Sequence, residues 1–173
     1  TKKHIKNCVY FNVVADARFY IDKEYTLFVN GDNILGQLGM NSKEIDYKHL
    51  TKHNFFNGSD IALIHNSSIN GHHCFIYTWD NKLYGFGYNR EHQIAKPDNN
   101  ASKRQHIFSK PELLGCDFDS ILIQIACGDK HTLFLTKNGN VYGTGSNDSG
   151  QLNNMTVDDY DAPAYSASLC DDL

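Results

Sequence analysis

The segment His131-Thr-Leu-Phe-Leu-Thr-Lys-Asn-Gly-Asn-Val-Tyr-Gly-Thr-Gly-Ser-Asn147, followed by Gln151, repeats an earlier one at a separation of 58 residues. The earlier copy is His73-Cys-Phe-Ile-Tyr-Thr-Trp-Asp-Asn-Lys-Leu-Tyr-Gly-Phe-Gly-Tyr-Asn89, followed by Gln93. An internal repeat of this length means that one supersecondary unit has been laid down more than once. It therefore restricts the architectures open to the chain more than any single residue does. Repeat folds also act mostly through extended surfaces rather than through one reactive side chain.

Each copy reads as a β-hairpin. Residues 131–136 form a strand, Asn138-Gly139 a turn, and 141–145 the returning strand. Asn-Gly suits a two-residue primed turn, whose central residues both adopt positive φ, and Asp80-Asn81 holds the same place in the earlier copy. Along the outgoing strands, His131, Leu133 and Leu135 alternate with Thr132, Phe134 and Thr136, and His73, Phe75 and Tyr77 alternate with Cys74, Ile76 and Thr78. Both faces are partly apolar, as expected of a strand held between two other sheets. Residues 121–128 and 61–64 read as further buried strands.

A third, decayed copy lies upstream. Gly31-Asp-Asn33-Ile-Leu-Gly36-Gln37-Leu-Gly39 matches Gly87-Tyr-Asn89 and Gln93 at a separation of 56, with Phe28 in place of Tyr84 and Tyr142, and Ala17 in place of the two histidines. The chain thus divides into units at about 9–60, 61–118 and 119–169, joined by polar connectors at 41–57 and 96–110 that read as surface loops. Helical periodicity is limited to a turn around 43–50, so the fold class is all-β.

The 173 residues suffice for one domain or part of a larger one, and a net charge of −4 gives no support for nucleic-acid binding through bulk charge. Lys103-Arg104 is the best local basic candidate, but without interleaved aromatic residues it reads more simply as a solvated loop. No apolar run approaches the length of a membrane span. Thr1-Lys-Lys-His-Ile-Lys lacks an initiator Met and an apolar signal segment, which suggests a piece cut from a longer chain. Five cysteines with no Cys-x-x-Cys spacing read as reduced thiols of an intracellular protein, cytoplasmic or nuclear.

The run from Gly128-Asp-Lys-His131 through Asn147 to Gly150-Gln-Leu152 resembles the repeat of the regulator of chromosome condensation (RCC1-like) family. Positions 125–152 match almost throughout. Positions 71–94 match more loosely, with His92 for the glycine before Gln93 and Ile94 for the leucine after it. Positions 25–39 match only at the Gly-x-Asn-x-x-Gly-Gln-Leu-Gly segment. The resemblance implies a β-propeller in which each repeat supplies about one blade of four antiparallel strands. Family members typically close seven blades, so about three repeats imply a partial propeller. Such a propeller would be completed by blades from the same or another polypeptide, and would carry apolar surface on both terminal faces.

Few residues read as chemical. His73 and His131 recur once per repeat, and a reacting group is needed only once, so both read as structural residues whose ring nitrogens are held by neighbouring backbone. Cys127 with His131, and His72-His73-Cys74, lack the four converging ligands of a zinc site. Gly85-Phe-Gly87 and Gly143-Thr-Gly145 lack the third glycine and the following helix of a dinucleotide loop. Gln37, Gln93, Gln151 and the preceding Asn read as residues that hydrogen-bond the backbone of their own turn. No catalytic residue, metal ligand or cofactor site is expected.

Three functions fit. The first is a non-enzymatic protein-interaction scaffold whose loops at 41–57 and 96–110 carry specificity. The second, implied by the resemblance, is a guanine-nucleotide exchange factor for a small GTPase, with the acidic Asp129 and Asp148 as contact residues. The third is an architectural component of a large assembly. The partners expected are therefore proteins, a small GTPase among them, and the remaining propeller blades, but neither membrane nor nucleic acid. Asp129, Asp148, Lys103 and Arg104 are the candidate partner-binding residues.

Overall fold

Short alternating runs of β-branched and aromatic residues, punctuated by tight turns, give strands of five to eight residues throughout. The computed structural model describes residues 8–14, 17–67, 70–95, 106–152 and 164–168. Among these, three four-stranded antiparallel sheets follow one another along the chain. Sheet 1 holds β1 (Cys8–Val14), β2 (Ala17–Asp22), β3 (Leu27–Asp32) and β4 (Asp46–Lys52). Sheet 2 holds β5 (Ile61–Asn66), β6 (His73–Thr78), β7 (Leu83–Tyr88) and β8 (Ile107–Leu114). Sheet 3 holds β9 (Leu122–Cys127), β10 (His131–Thr136), β11 (Asn140–Gly145) and β12 (Ala164–Ser168). In each sheet every strand pairs with the next in sequence, an up-and-down meander.

The first strands of successive sheets converge, β1 on β5 and β5 on β9. Tyr10 Oη and Asn12 Nδ2 of β1 both donate to the Ile64 carbonyl of β5, at 3.1 and 2.9 Å. Two apolar cores fill the spaces between sheets. Phe19, Ile21, Leu27, Val29, Cys74, Ile76 and Phe86 pack between sheets 1 and 2. Phe75, Tyr77, Leu83, Ile125 and Phe134 pack between sheets 2 and 3. Every residue of β6 is buried, because its two faces serve both cores, as the double-sided apolar pattern predicts.

In β10 only Thr132, Phe134 and Thr136 are buried; His131, Leu133 and Leu135, on the other face, are half-buried. The outward face of sheet 1 is mixed rather than uniformly apolar. There Phe11 and Val13 of β1 pair with Tyr20 and Arg18 of β2, and Arg18 donates to Asn30 Oδ1 at 2.9 Å.

The structure corrects four expectations. The connectors at 41–57 and 96–110 are not loops throughout: β4 occupies 46–52, where a helical turn was expected, and β8 begins at Ile107. The hairpin at Asn138-Gly139 is not a two-residue primed turn. Gly139 N donates to the Thr136 carbonyl at 3.0 Å and only Gly139, at φ +89°, is left-handed, which makes a three-residue loop closed by a glycine bulge. Asn81 (φ +62°) and Tyr25 (φ +56°) hold the same position in sheets 2 and 1. Finally, β9 is buried only on one side, since Leu122 and Ile125 face the core while Ile121 and Ile123 are exposed.

Candidate functional site

The repeated polar residues are spent on the junctions between sheets and on the turns. His73 lies at the start of β6, fully buried. Its Nδ1 stands 3.1 Å from the Gly71 carbonyl and its Nε2 2.9 Å from Thr132 Oγ1 of the next sheet. The Thr132 hydroxyl is also 2.9 Å from the Gln93 carbonyl. The chain of contacts thus runs from the entry turn of sheet 2, through the ring, to sheet 3 and back to the glutamine turn of sheet 2. Burial pushes the His73 pKa down to about 4, which the Gly71 hydrogen bond only partly offsets, so the ring is neutral at pH 7. Part of the expected pattern holds: one partner is backbone, as predicted, and the other is a threonine side chain across the sheet boundary. His131, the equivalent residue of β10, is half-buried, and its pKa is lowered by burial and pulled back by Asp129.

The glutamine turns behave as the sequence predicts. Gln37, Gln93 and Gln151 Oε1 each accept from the backbone N–H two residues upstream (Leu35, Glu91, Ser149) at 2.9 Å. Asn33, Asn89 and Asn147 Oδ1 accept from the N–H of Leu38, Ile94 and Leu152 at 3.0, 2.8 and 2.9 Å. These side chains replace backbone ladder bonds where the chain leaves the sheet. Each turn needs a left-handed residue just before its glutamine, supplied by Gly36, His92 and Gly150. Gly36 is also tight: a Cβ there would lie 2.7 Å from Ser109 Cα of sheet 2.

His53 was not singled out from the sequence, yet it organises the connector from sheet 1 to sheet 2. Its Nε2 donates to the Leu38 carbonyl at 3.1 Å, and its Nδ1 accepts from the N–H groups of Phe55 and Phe56 at 3.1 and 3.2 Å. Burial holds its pKa at about 4, consistent with a ring nitrogen that must stay unprotonated to accept. Asp119 was missed as well. Its Oδ2 accepts from Asn138 and Asn140 Nδ2 at 2.9 and 2.8 Å, and Tyr142 Oη donates to its Oδ1, tying the β10–β11 hairpin to the connector before β9. Neither residue belongs to the stretch that recurs visibly, so no sequence signal marked them.

Thiol chemistry is suppressed at three of the cysteines. Burial pushes Cys116 and Cys127 up to about 12 and raises Cys74 well above the usual thiol range, which removes the reactive thiolate. Cys8, Cys74, Cys116 and Cys127 are free thiols, and Cys170 lies outside the described residues. Among the described residues, no three His, Cys, Asp or Glu side chains come together to hold a metal, and no helix is long and apolar enough to cross a membrane.

Asp129 and Asp148 come together on one end of sheet 3. Asp129 sits in the β9–β10 turn, where Asn70 Nδ2 donates to it at 3.4 Å. Asp148 sits in the turn after β11 and accepts from Ser146 Oγ at 3.0 Å. The two turns are adjacent, because Ser146 N donates to the Lys130 carbonyl at 2.9 Å, and both carboxylates are exposed. Lys103 and Arg104 lie outside the described residues.

Successive meander sheets, packed face to face with converging first strands and joined by buried polar clamps, define the blades of a β-propeller-type repeat protein. Residues 122–151 and 80–135 match two models of the regulator of chromosome condensation (RCC1) repeat, and the chain carries repeats of that family. It is 29% identical over 132 residues to the human probable E3 ubiquitin-protein ligase HERC6, an alignment that covers 76% of this chain and 12% of that protein. It is 32% identical over 128 residues to the secretion-regulating guanine nucleotide exchange factor of Bos taurus, covering 73% and 25%. Among solved structures, yeast RCC1 (Prp20) bound to Kap60 superposes with a TM-score of 0.73 at 22% identity, over 95% of this chain and 38% of that one. The chain therefore spans a quarter or less of these two curated relatives.

Proposed function

We propose that these three sheets are successive blades of a larger propeller, with units at 9–60, 61–118 and 119–169, and that the propeller serves as a non-enzymatic platform for protein partners. The observation that carries the reading is the contrast between β6 and β10. His73, Phe75 and Tyr77 are buried against sheet 3, whereas His131, Leu133 and Leu135, at the same register, are half-buried. A face of that composition suits another blade, from the same or another polypeptide. His73 and the recurring Asn and Gln side chains are consumed in clamps and turns, which leaves recognition to the variable loop ends. An intracellular setting agrees with the free thiols.

A guanine-nucleotide exchange role is the second reading. It is favoured by the similarity to the secretion-regulating exchange factor and by the exposed Asp129 and Asp148 on one end of sheet 3. Acidic loop residues of this kind would press against the nucleotide-binding face of a small GTPase. Release of labelled nucleotide from a panel of small GTPases, with and without the full-length protein, separates the readings. Unchanged rates support the platform. Acceleration that Asp129→Ala abolishes supports exchange. A purely architectural role would leave the protein bound in its assembly when both carboxylates are neutralised.

A further inference from the structure

The opposite end of the molecule from Asp129 and Asp148 carries the hairpin tips and the connectors between sheets. There, between the connector that leaves β4 and the β6–β7 hairpin, lies a cleft of about 390 Å³. Its lining includes Phe55, Phe56, Tyr84 and Trp79 together with two acids, Asp60 and Asp80. The first three rings meet edge to face, with centroids 4.7, 5.6 and 5.1 Å apart. Trp79, the chain's single tryptophan, is 72% exposed on the hairpin tip.

The repeat makes this arrangement informative. The hairpin loops of sheets 1 and 3 place Lys23 and Lys137 where sheet 2 places Trp79. The backbone geometry is common, since Trp79 N donates to the Asp60 carbonyl at 3.0 Å as Lys137 N donates to the Ile121 carbonyl at 2.9 Å. Only the second unit therefore exchanges a lysine for an indole and, at the facing position, presents a carboxylate where the third presents Ile121.

The two acids differ. Asp80 is already engaged, by Lys82 Nζ at 2.6 Å and the Thr78 hydroxyl at 2.6 Å. The Asp60 carboxylate takes only a 3.2 Å hydrogen bond from Ser59 Oγ and has no ion-pair partner among the described residues.

We propose that this cleft is a docking site for an arginine side chain of a polypeptide partner, its guanidinium stacked on Trp79 and hydrogen-bonded to Asp60. The chemistry selects that group. An aromatic face attracts a cation, a planar guanidinium stacks on it, and its fork of N–H donors matches a carboxylate. An anionic or purely apolar guest would leave Asp60 repelled or unpaired.

The proposal rests on the interaction-platform reading, but its test is independent of partner identity. Trp79 fluorescence of the full chain is titrated with the peptide Gly-Ser-Arg-Gly-Ser and its citrulline counterpart at constant ionic strength. A saturable change with the arginine peptide, weakened about tenfold in Asp60→Asn, is expected, because the charged hydrogen bond is lost. Trp79→Lys imports the residue of the other two hairpins and so should keep the fold, and by calorimetry it should no longer bind. Equal responses to the two peptides, an unchanged response in Asp60→Asn, or no saturable response would overturn the assignment. Nucleotide-release rates of the GTPases that do not change with Asp60→Asn, alongside peptide binding left intact by Asp129→Ala, would separate this site from the Asp129 end of the molecule.

Discussion

His73 Nε2 lies 2.9 Å from Thr132 Oγ1, and this contact joins two sheets through side chains that are both fully buried. The hydroxyl has one proton and two acceptors in reach, Nε2 and the Gln93 carbonyl, while the neutral ring supplies one proton toward Gly71. The junction is thus specific in geometry and sensitive to protonation. Its ring is kept neutral by burial, and so is the ring of His53 at the sheet 1 connector.

The pH dependence follows from that neutrality. Both histidines fall from the ordinary value of 6.5 to about 4 in the folded chain. Protonation therefore favours the unfolded state. Their contribution is complete above the unfolded pKa and is lost as pH falls from 6.5 toward 4, by up to about 3 kcal/mol for each ring. Urea midpoints measured from pH 7.5 to 4 should fall through that window. His73→Gln combined with His53→Gln should lower the midpoint at pH 7.5 and flatten the decline. An undiminished decline in the double variant would assign the acid sensitivity elsewhere.

The hairpin loops offer a graded series at one backbone position. Gly139, Asn81 and Tyr25 all adopt left-handed φ, and only glycine does so without steric cost. Tyr25→Gly should raise stability by about 1 kcal/mol, and Gly139→Ala should lower it by a similar amount. Asn81→Gly should lower it by about 1 kcal/mol, because asparagine already tolerates this region and the change removes the Oδ1 that accepts from Tyr77 Oη at 2.8 Å. Thermal midpoints of the three variants check the order, and a destabilised Tyr25→Gly would contradict it.

What the sequence made legible follows the same logic. The hairpins β6–β7 and β10–β11 and the glutamine turns were readable because their side chains perform the same local task in each unit. The strands β4 and β8 were not, because each is the outermost strand of its sheet. Edge strands keep polar, solvent-facing residues, and β8 even accommodates Pro111, which a central strand would exclude. Reading 41–57 and 96–110 as loops mistook edge polarity for irregularity. The Asp60–Trp79 cleft was invisible for another reason: it is a departure from the repeat, and its residues are distant in sequence until the sheets assemble.

The glutamine turns differ in one hydrogen bond. Gln37 Nε2 donates to Asp32 Oδ2 at 3.0 Å and Gln151 Nε2 to Ser146 Oγ at 3.1 Å. In sheet 2 the corresponding residue is Tyr88, and the buried Gln93 Nε2 has no partner among the described residues. A double-mutant cycle on Asp32→Ala and Gln37→Ala should therefore show coupling of about 0.5–1 kcal/mol. The cycle on Tyr88→Ala and Gln93→Ala should show none attributable to that bond. Equal coupling energies in the two cycles would mean that the amide contributes nothing through its acceptor.

Gly36 and Gly150 separate the cost of backbone conformation from the cost of close approach between blades. Their φ values are +75° and +74°, so replacing either with alanine imposes the same left-handed strain of about 1–2 kcal/mol. Their surroundings differ: a Cβ at Gly36 meets Ser109 Cα at 2.7 Å and the Phe108 carbonyl at 3.1 Å, whereas none of the described residues lies within 4 Å of a Cβ at Gly150. The connector cannot retreat freely from sheet 2, because Asn41 N donates to the Ser109 carbonyl at 2.7 Å. Gly36→Ala should thus cost about 1–3 kcal/mol more than Gly150→Ala in chemical denaturation of this chain. Repeating the pair in a longer polypeptide that carries the adjoining sequence reads out the neighbour directly. If another blade packs on sheet 3 as sheet 2 packs on sheet 1, the Gly150→Ala cost should rise to the Gly36→Ala value, while an unchanged difference would leave that face open.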